Sequence, residues 1–348
     1  MKPKPKAIDL FSGAGGLSEG LKQAGFNVVG AVEIDALAAE TYALNHETTR
    51  IWQTDIRKLT GPHMMRELGI APGTLDVLAA CPPCQGFSKM RTKNGRHAVS
   101  EPQNDLIFEV LRITRSVRPR TLMIENVPGL AKDPRFQRFV NALTTLGYDT
   151  RWSIFNTADF AVPQRRSRLV LLASLCGVPN FAKPARQVTT VRDAIGGLTC
   201  PSKSNDPLHN YRPAPSAKTQ KLIRMIPRNG GSRTSLAEHA QLDCHVGFNG
   251  FRDVYGRMAW ERPAPTITSG CINPSKGRFL HPTANRAITL REAALLQSFP
   301  IRYQFQLTRG RYAVALLIGN ALPPEFIRRQ AMMLLQLVAG LKPPKTLR

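Results

Sequence analysis

The sequence has 348 residues, 42% hydrophobic and 21% charged, which is enough apolar material to build two domains, or one domain with a large insertion. Its apolar runs are too short to cross a bilayer, and six scattered cysteines without an export signal predict reduced thiols in a cytoplasmic protein. The net charge of +24 is uneven, because residues 1–150 carry 19 Lys/Arg against 15 Asp/Glu while residues 151–348 carry 29 against 9, so a polyanion-binding surface built mainly by the second half is favoured over a uniformly basic one.

Strand and helix patterns alternate through the first 175 residues. In chain order they are AIDLFSG, the helical GLSEGLKQAG closed by Gly25, NVVGAVEI, the helical DALAAETYALNH with Asp35 as candidate cap, RIWQTDI, LDVLAAC, the helical NDLIFEVLRITRSVR, TLMIENV, the helical RFQRFVNALTTLG, TRWSIFNTADF and SRLVLLASL. This alternation predicts an α/β protein with a doubly wound sheet and helices on both faces.

The pattern changes after residue 175. Residues 176–262 are rich in Pro, Gly, Ser, Asn and Arg, with few helix signals, of which AKTQKLIRMI is one, and they predict a separate irregular lobe. Helical patterning returns within 263–348, in TLREAALLQSF and PPEFIRRQAMMLLQLVAGL. The last segment is apolar enough to dock on the first lobe, so we expect a discontinuous domain made of 1–175 and 263–348.

Glycines and acids follow successive strands at the edge where such sheets bind ligands. The glycines after the first strand are Gly13, Gly15 and Gly16, and Ser18 breaks the dinucleotide fingerprint G-x-G-x-x-G. Glu33 ends the second strand, where it could accept ribose hydroxyls, and Asp55 ends the third, where it could meet an exocyclic amine. The alternative is plain turns and helix caps. Taken together, the glycines and the two acids at successive strand ends indicate a nucleoside-bearing cofactor.

The stretch CPPCQGFSKM contains Cys81 and Cys84 in a C-x-x-C frame. A zinc site would need two more ligands at suitable spacing, and the stiff Pro-Pro gap after a strand makes a redox pair a weak interpretation. A nucleophile fits better at Cys84, because a basic loop follows it and cations lower a thiol pKa. We expect Cys81 to close the strand as a small buried hydrophobe. A further carboxylate, Glu125 in MIENVPGL, ends another strand, either as a functional acid or as a cap.

With these residues identified, the chain resembles the DNA (cytosine-5)-methyltransferases of bacterial restriction-modification systems. Six segments are similar to the family's motifs and stand in the family's order, namely DLFSGAGG, PPCQGFS, ENV, QRRSR, RPAPTIT with REAALLQSFP, and GNALPP. The resemblance implies the class I S-adenosylmethionine-dependent methyltransferase fold, with a doubly wound mixed sheet and a smaller, irregular target recognition domain at 176–262.

The resemblance also implies catalytic roles. Cys84 would be the thiolate that adds to cytosine C6, and Glu125 would bind N3 and the exocyclic amine of the base. Arg166 and Arg168 would hold O2 and nearby groups, with phosphate binding or solvated charge as the alternative. The stretch 88–105 is predicted to close over DNA once the target base is flipped out, unless it is an ordinary surface loop.

The implied cofactor is S-adenosylmethionine. Its predicted contacts are Phe11, Gly13, Gly15, Gly16, Glu33, Ile34, Asp55, Ile56, Pro83, Leu106 and Asn320. The implied partner is double-stranded DNA, with a restriction endonuclease of the same specificity as a candidate, and we expect a monomer without metal or membrane. The alternative is RNA, because one branch of the family methylates transfer RNA, but that branch carries a C-F-T motif that this sequence lacks. A zinc or redox protein and a binding module without catalysis are less favoured.

Overall fold

The computed structural model describes residues 3–83, 105–211, 215–237, 250 and 252–340. The chain divides into two compact units. The first comprises Met1–Asn156, Ser167–Pro184 and Pro324–Arg348, and the second comprises Thr157–Arg166 and Ala185–Pro323. The segment 263–323, which we expected to complete the cofactor-binding part, therefore lies in the second unit, and the functional roles of the segments stay predictions.

A seven-stranded sheet forms the centre of the first unit, in the order β3-β2-β1-β4-β5-β7-β6. The strands are β1 (Lys6–Leu10), β2 (Asn27–Glu33), β3 (Arg50–Gln53), β4 (Val77–Ala80), β5 (Thr121–Asn126), β6 (Asp149–Asn156) and β7 (Ser167–Ser174). Strands β1 to β5 are parallel to one another, whereas β7 is antiparallel to both β5 and β6. The predicted doubly wound mixed sheet is thereby confirmed, and the carboxyl ends of five strands share one edge.

Helices connect these strands and recur in the second unit. In chain order they are α1 (Gly16–Ala24), α2 (Ala36–Asn45), α3 (Gly61–Leu68), α4 (Leu106–Val117), α5 (Pro134–Thr145), α6 (Val191–Ile195), α7 (Ala217–Met225), α8 (Leu290–Leu296), α9 (Gly310–Asn320) and α10 (Pro324–Ala339). Helix α1 ends at Gly25, whose φ of 107° is left-handed, and the Asp35 side chain caps α2 by accepting the Ala38 N–H at 2.9 Å. Both helix ends were predicted from the sequence.

The central strands β4 and β5 lie in the core of the first unit. All of β4 and β5 is buried, because helices cover both faces of the sheet. The C-terminal helix α10 packs closely on α1, as its apolar composition predicted. A Cβ built on Gly20 of α1 would lie 2.6 Å from Ile327 Cβ and from the Pro324 carbonyl oxygen, so a larger residue would push the two helices apart.

The second unit has a small apolar core and depends heavily on buried arginines. This core contains Leu222 and Ile223 of α7 and Ile226 directly after it, which pack with Tyr255 and Leu280. Arg257 is fully buried beside this cluster and donates to a set of acceptors made by loops: the carbonyls of Ile223, Ile226, His281 and Ala284, and the Asn285 side chain. Irregular backbone is stabilised here because a guanidinium satisfies carbonyl groups that a sheet would otherwise pair.

Candidate active site

A tight loop joins β1 to α1 and, together with the first residue of α1, contains four of the predicted cofactor contacts, Phe11, Gly13, Gly15 and Gly16. Gly13 and Gly15 adopt φ angles of +53° and +91°, and a Cβ built on Gly13 would meet no atom within 4 Å. Phe11 also has a positive φ, of 61°, which is rare for an aromatic residue. The loop therefore leaves open space beside Gly13 at the carboxyl end of β1, as a cofactor cradle requires.

Glu33 at the end of β2 closes this loop. Its Oε2 accepts the Gly13 N–H at 2.7 Å, and its Oε1 accepts the N–H groups of Ile34 and Asp35, each at 2.8 Å. An ionised carboxylate offers about four acceptor positions, so three are occupied and about one is left for a ligand hydroxyl. Burial raises the pKa of this carboxyl, while the backbone donors oppose the rise. The structure thus joins Gly13 and Glu33 directly.

The third predicted contact, Asp55, lies two residues beyond β3. Its side chain caps a short 3-10 turn and pairs with Arg57, whose Nη2 is 2.6 Å from Oδ2. Hydrogen bonding from that guanidinium lowers the pKa of Asp55 to about 2. Ile56 is buried in the core, whereas Ile34 is 65% exposed. Asp55 therefore has the capping role that was the alternative for it, and contact with a cofactor stays a prediction.

The carboxyl end of β5 holds the predicted catalytic acid. The Glu125 side chain is 1% exposed and forms an ion pair with Arg168 of β7, with 2.6 Å between Arg168 Nε and Glu125 Oε1. The other oxygen, Oε2, accepts the Cys81 thiol at 3.1 Å. A buried carboxylate requires such partners, because desolvation would otherwise disfavour its charge. Glu125 and Arg168, both predicted to be catalytic, are in contact.

Cys81 corrects one expectation from the sequence. It follows β4 and continues the ladder through its N–H to Leu10 O at 3.3 Å, but it is half-buried and polar in its contacts rather than a fully buried hydrophobe. The next residues are held by Asn126, whose Nδ2 donates to Pro82 O at 3.0 Å. This amide fixes the backbone leading to Pro83. Its position next to Glu125 in the ENV motif was the available signal for it.

The nucleophile candidate Cys84 and the predicted closing stretch up to residue 104 lie outside the described residues. The described chain resumes with Asp105, and Leu106 begins α4 with its side chain packed against the core of the first unit. Pro83, half-buried, is the last described residue before Cys84. The described chain before Cys84 therefore ends just after β4, at the sheet edge that also holds Glu125.

The QRRSR segment crosses from the second unit into the first. Within the second unit, Gln164 donates to Gln297 Oε1 at 2.8 Å and accepts the Ile267 N–H at 2.7 Å. Arg166 is buried, and its Nη1 donates to the carbonyls of Ile267 and Gly319, each at 2.9 Å. These bonds support a structural role for Arg166. Its contact with the target base stays a prediction. Asn320 is the exposed last residue of α9 in the same unit.

A buried polar chain beneath the loop between β1 and α1 was not predicted from the sequence. Asp9 in β1 is fully buried, its Oδ2 accepts the Ser18 hydroxyl at 2.7 Å, and Ser18 Oγ lies 2.8 Å from the Tyr42 hydroxyl. Burial raises the pKa of Asp9 to about 7. The signal was a lone acid within the apolar run AIDL. The hydrogen-bonded chain of Asp9, Ser18 and Tyr42 links β1 to the first turn of α1 and to α2, and so supports the loop between β1 and α1.

In the described ranges, His, Cys, Asp and Glu side chains form no group of three or more that could hold a metal ion. No helix among the described residues has the length and apolar composition needed to cross a membrane.

Comparison with known proteins gives a consistent assignment. A family model described as C-5 cytosine-specific DNA methylase matches residues 5–335. The Type II methylase M.HgiDII of Herpetosiphon aurantiacus is 35% identical and aligns with 96% of both chains. The Type II methyltransferase M1.HphI of Haemophilus parahaemolyticus is 33% identical, over 91% of this chain and 83% of that one.

Solved structures agree with the sequence relatives. An E. coli protein assigned as a DNA modification methyltransferase encoded within a prophage has a TM-score of 0.70 and 25% identity, with 97% of this chain and 100% of that one covered. The S. pombe Dnmt2 methyltransferase, at 19% identity and a TM-score of 0.62 over 97% of this chain and 99% of that one, supports the fold alone. The class I methyltransferase fold predicted from the sequence is confirmed.

Proposed function

The chain belongs to the C-5 cytosine-specific DNA methylase family, and on that premise we propose that it methylates C5 of a cytosine flipped out of duplex DNA at a specific sequence. It is a DNA (cytosine-5-)-methyltransferase of the restriction-modification type. The observation that carries the proposal is the buried Glu125 carboxylate, paired with Arg168 at the carboxyl end of β5.

The proposed chemistry begins at Cys84. Cytosine C5 is a poor nucleophile, and addition of the Cys84 thiolate to C6 turns the ring into an enamine whose C5 can attack an electrophilic carbon. Glu125 supports this step by binding N3 and the exocyclic amine, where it hydrogen-bonds or protonates the ring as negative charge develops. Elimination of the thiol then requires loss of the C5 proton, for which water is the proposed acceptor.

S-adenosylmethionine is the proposed cofactor, and when bound it supplies the methyl group on a sulfonium centre. The residues of the first unit fit this group. The glycine loop leaves open space above Gly13, and Glu33 keeps about one acceptor position for a ribose hydroxyl. A second hydroxyl on Glu33 would require one of the three backbone donors to move away.

Duplex DNA is the proposed substrate, and the second unit is proposed to supply most of its contacts. The residues of this unit, 157–166 and 185–323, carry 21 Lys/Arg against 8 Asp/Glu, a surplus that suits a phosphate backbone. The target base must leave the stack to reach the protein, at a cost of about a few kcal/mol. We also propose that the protein acts as a monomer in the cytoplasm and that a restriction endonuclease shares its recognition site.

Bisulfite sequencing of DNA from cells that express the chain tests this proposal. We expect protected cytosines at one short sequence, and none in cells expressing Glu125→Gln or Cys84→Ser. Purified protein should transfer radiolabelled methyl groups to a duplex containing that sequence. Protection at no sequence, or labelling of RNA instead of duplex DNA, would contradict the proposal.

A further inference from the structure

Cys81 touches the carboxylate on which the proposed chemistry depends. The distance from its Sγ to Glu125 Oε2 is 3.1 Å, and the thiol is the donor. A thiol is ordinarily a weak donor, but a bond to an ionised acceptor is shorter and stronger than a neutral one. Cys81 is half-buried, while Glu125 is almost completely buried.

Two different elements therefore hold the two oxygens of Glu125. Arg168 from β7 pairs with Oε1 at 2.6 Å, and Cys81 from the end of β4 donates to Oε2. One contact alone would leave the carboxyl group able to rotate about its last side-chain bond, which is a broad and soft torsion. Two contacts on opposite oxygens fix the plane of the group.

We propose that Cys81 is a positioning residue for Glu125, in which the thiol and Arg168 together set the orientation of the carboxylate that receives the target base. The proposal rests on the proposed function, because it assigns to Glu125 the contact with the base. It gives the first cysteine of the C-x-x-C frame a role that needs neither a metal nor a disulfide, and no bond to Cys84.

Three substitutions separate the donor from the volume of the side chain. Cys81→Ala removes both, Cys81→Val restores bulk without a donor, and Cys81→Ser restores a donor. We expect the single-turnover methylation rate to fall about three- to tenfold in the Ala and Val variants, the range of one hydrogen bond, and to stay within about threefold of wild type for Ser. Affinity for S-adenosylmethionine should not change, and Cys176→Ala, another half-buried thiol, is the matched control.

The pH–rate profile gives a readout that mere packing would not move. Loss of a donor disfavours the ionised form of a carboxylate, so the limb governed by Glu125 should shift to higher pH in Cys81→Ala and return in Cys81→Ser. Arg168 of β7, which forms an ion pair with the carboxylate, is the same in all of these variants. In a Glu125→Gln background the same Cys81 substitutions should no longer alter the profile.

An infrared measurement tests the contact without any substrate. The S–H stretching band that disappears in Cys81→Ser should lie at the frequency of a hydrogen-bonded thiol and move in Glu125→Gln. Wild-type rates and profiles in Cys81→Ala and Cys81→Val, with methylation by wild type intact, would overturn the positioning role alone. Absence of C5 methylation by wild type would overturn the proposed function, and with it the role of Cys81 in catalysis, while the infrared band would still report the bond itself.

Discussion

Arg168 and Glu125 form an ion pair between neighbouring antiparallel strands, with Nε 2.6 Å from Oε1 and side chains that are 13% and 1% exposed. The pair joins Arg168 of the QRRSR segment to Glu125 of the ENV motif at the carboxyl end of β5, although the two residues are 43 positions apart in the sequence. Because the carboxylate is so deeply buried, its charge depends on the guanidinium.

Removing one partner should therefore be costly. Arg168→Met leaves an uncompensated buried carboxylate, and we expect the free energy of unfolding to fall by about 3–5 kcal/mol. The double variant Arg168→Met with Glu125→Gln should recover much of that loss, since no buried charge remains. Urea denaturation of the four proteins in the cycle measures the coupling. A double variant that is as unstable as the sum of the single variants would mean that the two side chains act independently.

Glu125 itself should matter for the rate rather than for the cofactor. Glu125→Gln keeps hydrogen-bonding groups of the same shape but cannot supply a proton, so we expect the methylation rate to fall by roughly 10²-fold or more. Binding of S-adenosylmethionine, measured by calorimetry, should be little changed. A collapse of cofactor binding in this variant would place Glu125 in the cofactor site instead.

The sequence predicted the parts of this site that depend on strand order, because parallel strands place their carboxyl ends at one edge. Gly13, Glu33 and Glu125 could be located in that way. It could not predict what pairs with Glu125 or with Asp55, since a hydrogen bond depends on distances of a few tenths of an ångström. Cys81 was misjudged for that reason.

The arginines of the second half show a second limit. Composition indicated a basic surface, and Arg257 contributes to that count, yet it is buried and donates to loop carbonyls. Whether a basic residue binds a ligand or the protein's own backbone depends on burial, which the irregular pattern of 176–262 does not encode.

Substitutions of the two cysteines in the C-x-x-C frame should have different effects on methyl transfer. We expect Cys84→Ser to abolish methyl transfer and Cys81→Ser to keep most of it, because only Cys84 is the proposed nucleophile. A duplex carrying 5-fluorocytosine should become covalently attached to wild type and to Cys81→Ser, since fluorine blocks the elimination step, and should not attach to Cys84→Ser. Denaturing electrophoresis detects the adduct. An adduct with Cys84→Ser would exclude Cys84 as the nucleophile.

Asp9 should give the first unit a distinctive pH dependence. Its pKa rises from an ordinary 3.8 to about 7, mainly through burial, with nearby Glu33 adding to the rise and Ser18 opposing it. The folded protein therefore keeps a proton that the unfolded chain releases, and this contribution to stability is full below pH 4 and is lost as the pH rises to about 7.

Asp9→Asn removes that titration but preserves an acceptor for the Ser18 hydroxyl. Relative to the variant, wild type should lose up to about 1.4 kcal/mol of unfolding free energy per pH unit between pH 4 and 7. Denaturant titrations at pH 4, 5, 6, 7 and 8 measure the difference, in which the titrating groups that do not interact with Asp9 cancel. An equal pH dependence in both proteins would show that Asp9 stays ionised in the folded state.

Substitution of exposed arginines of the second unit tests the proposed contacts with DNA, because buried arginines donate to the protein's own backbone instead. Arg186, Arg228 and Arg262 are exposed, whereas Arg257 is fully buried. Each phosphate contact releases counterions, so log K for DNA binding should fall with log salt by about 0.9 per contact. Replacing each exposed arginine by Gln should flatten the slope by about that amount if it touches a phosphate, while Arg66→Gln in the first unit should leave the slope unchanged.

Arg257→Gln is the informative contrast, because it lowers the same net charge by the same amount. It should reduce the melting temperature of the second unit, since several loop carbonyls lose their donor, and it should not change the salt slope of the folded protein. An arginine that reads a base edge would behave in a third way, with about 1–3 kcal/mol lost on the cognate site and a relaxed sequence preference. Titrations at several salt concentrations, on cognate and unrelated duplexes, distinguish the three classes. A slope that no exposed variant alters would mean that the basic second half does not hold the DNA, and the uneven charge of the chain would then need another explanation.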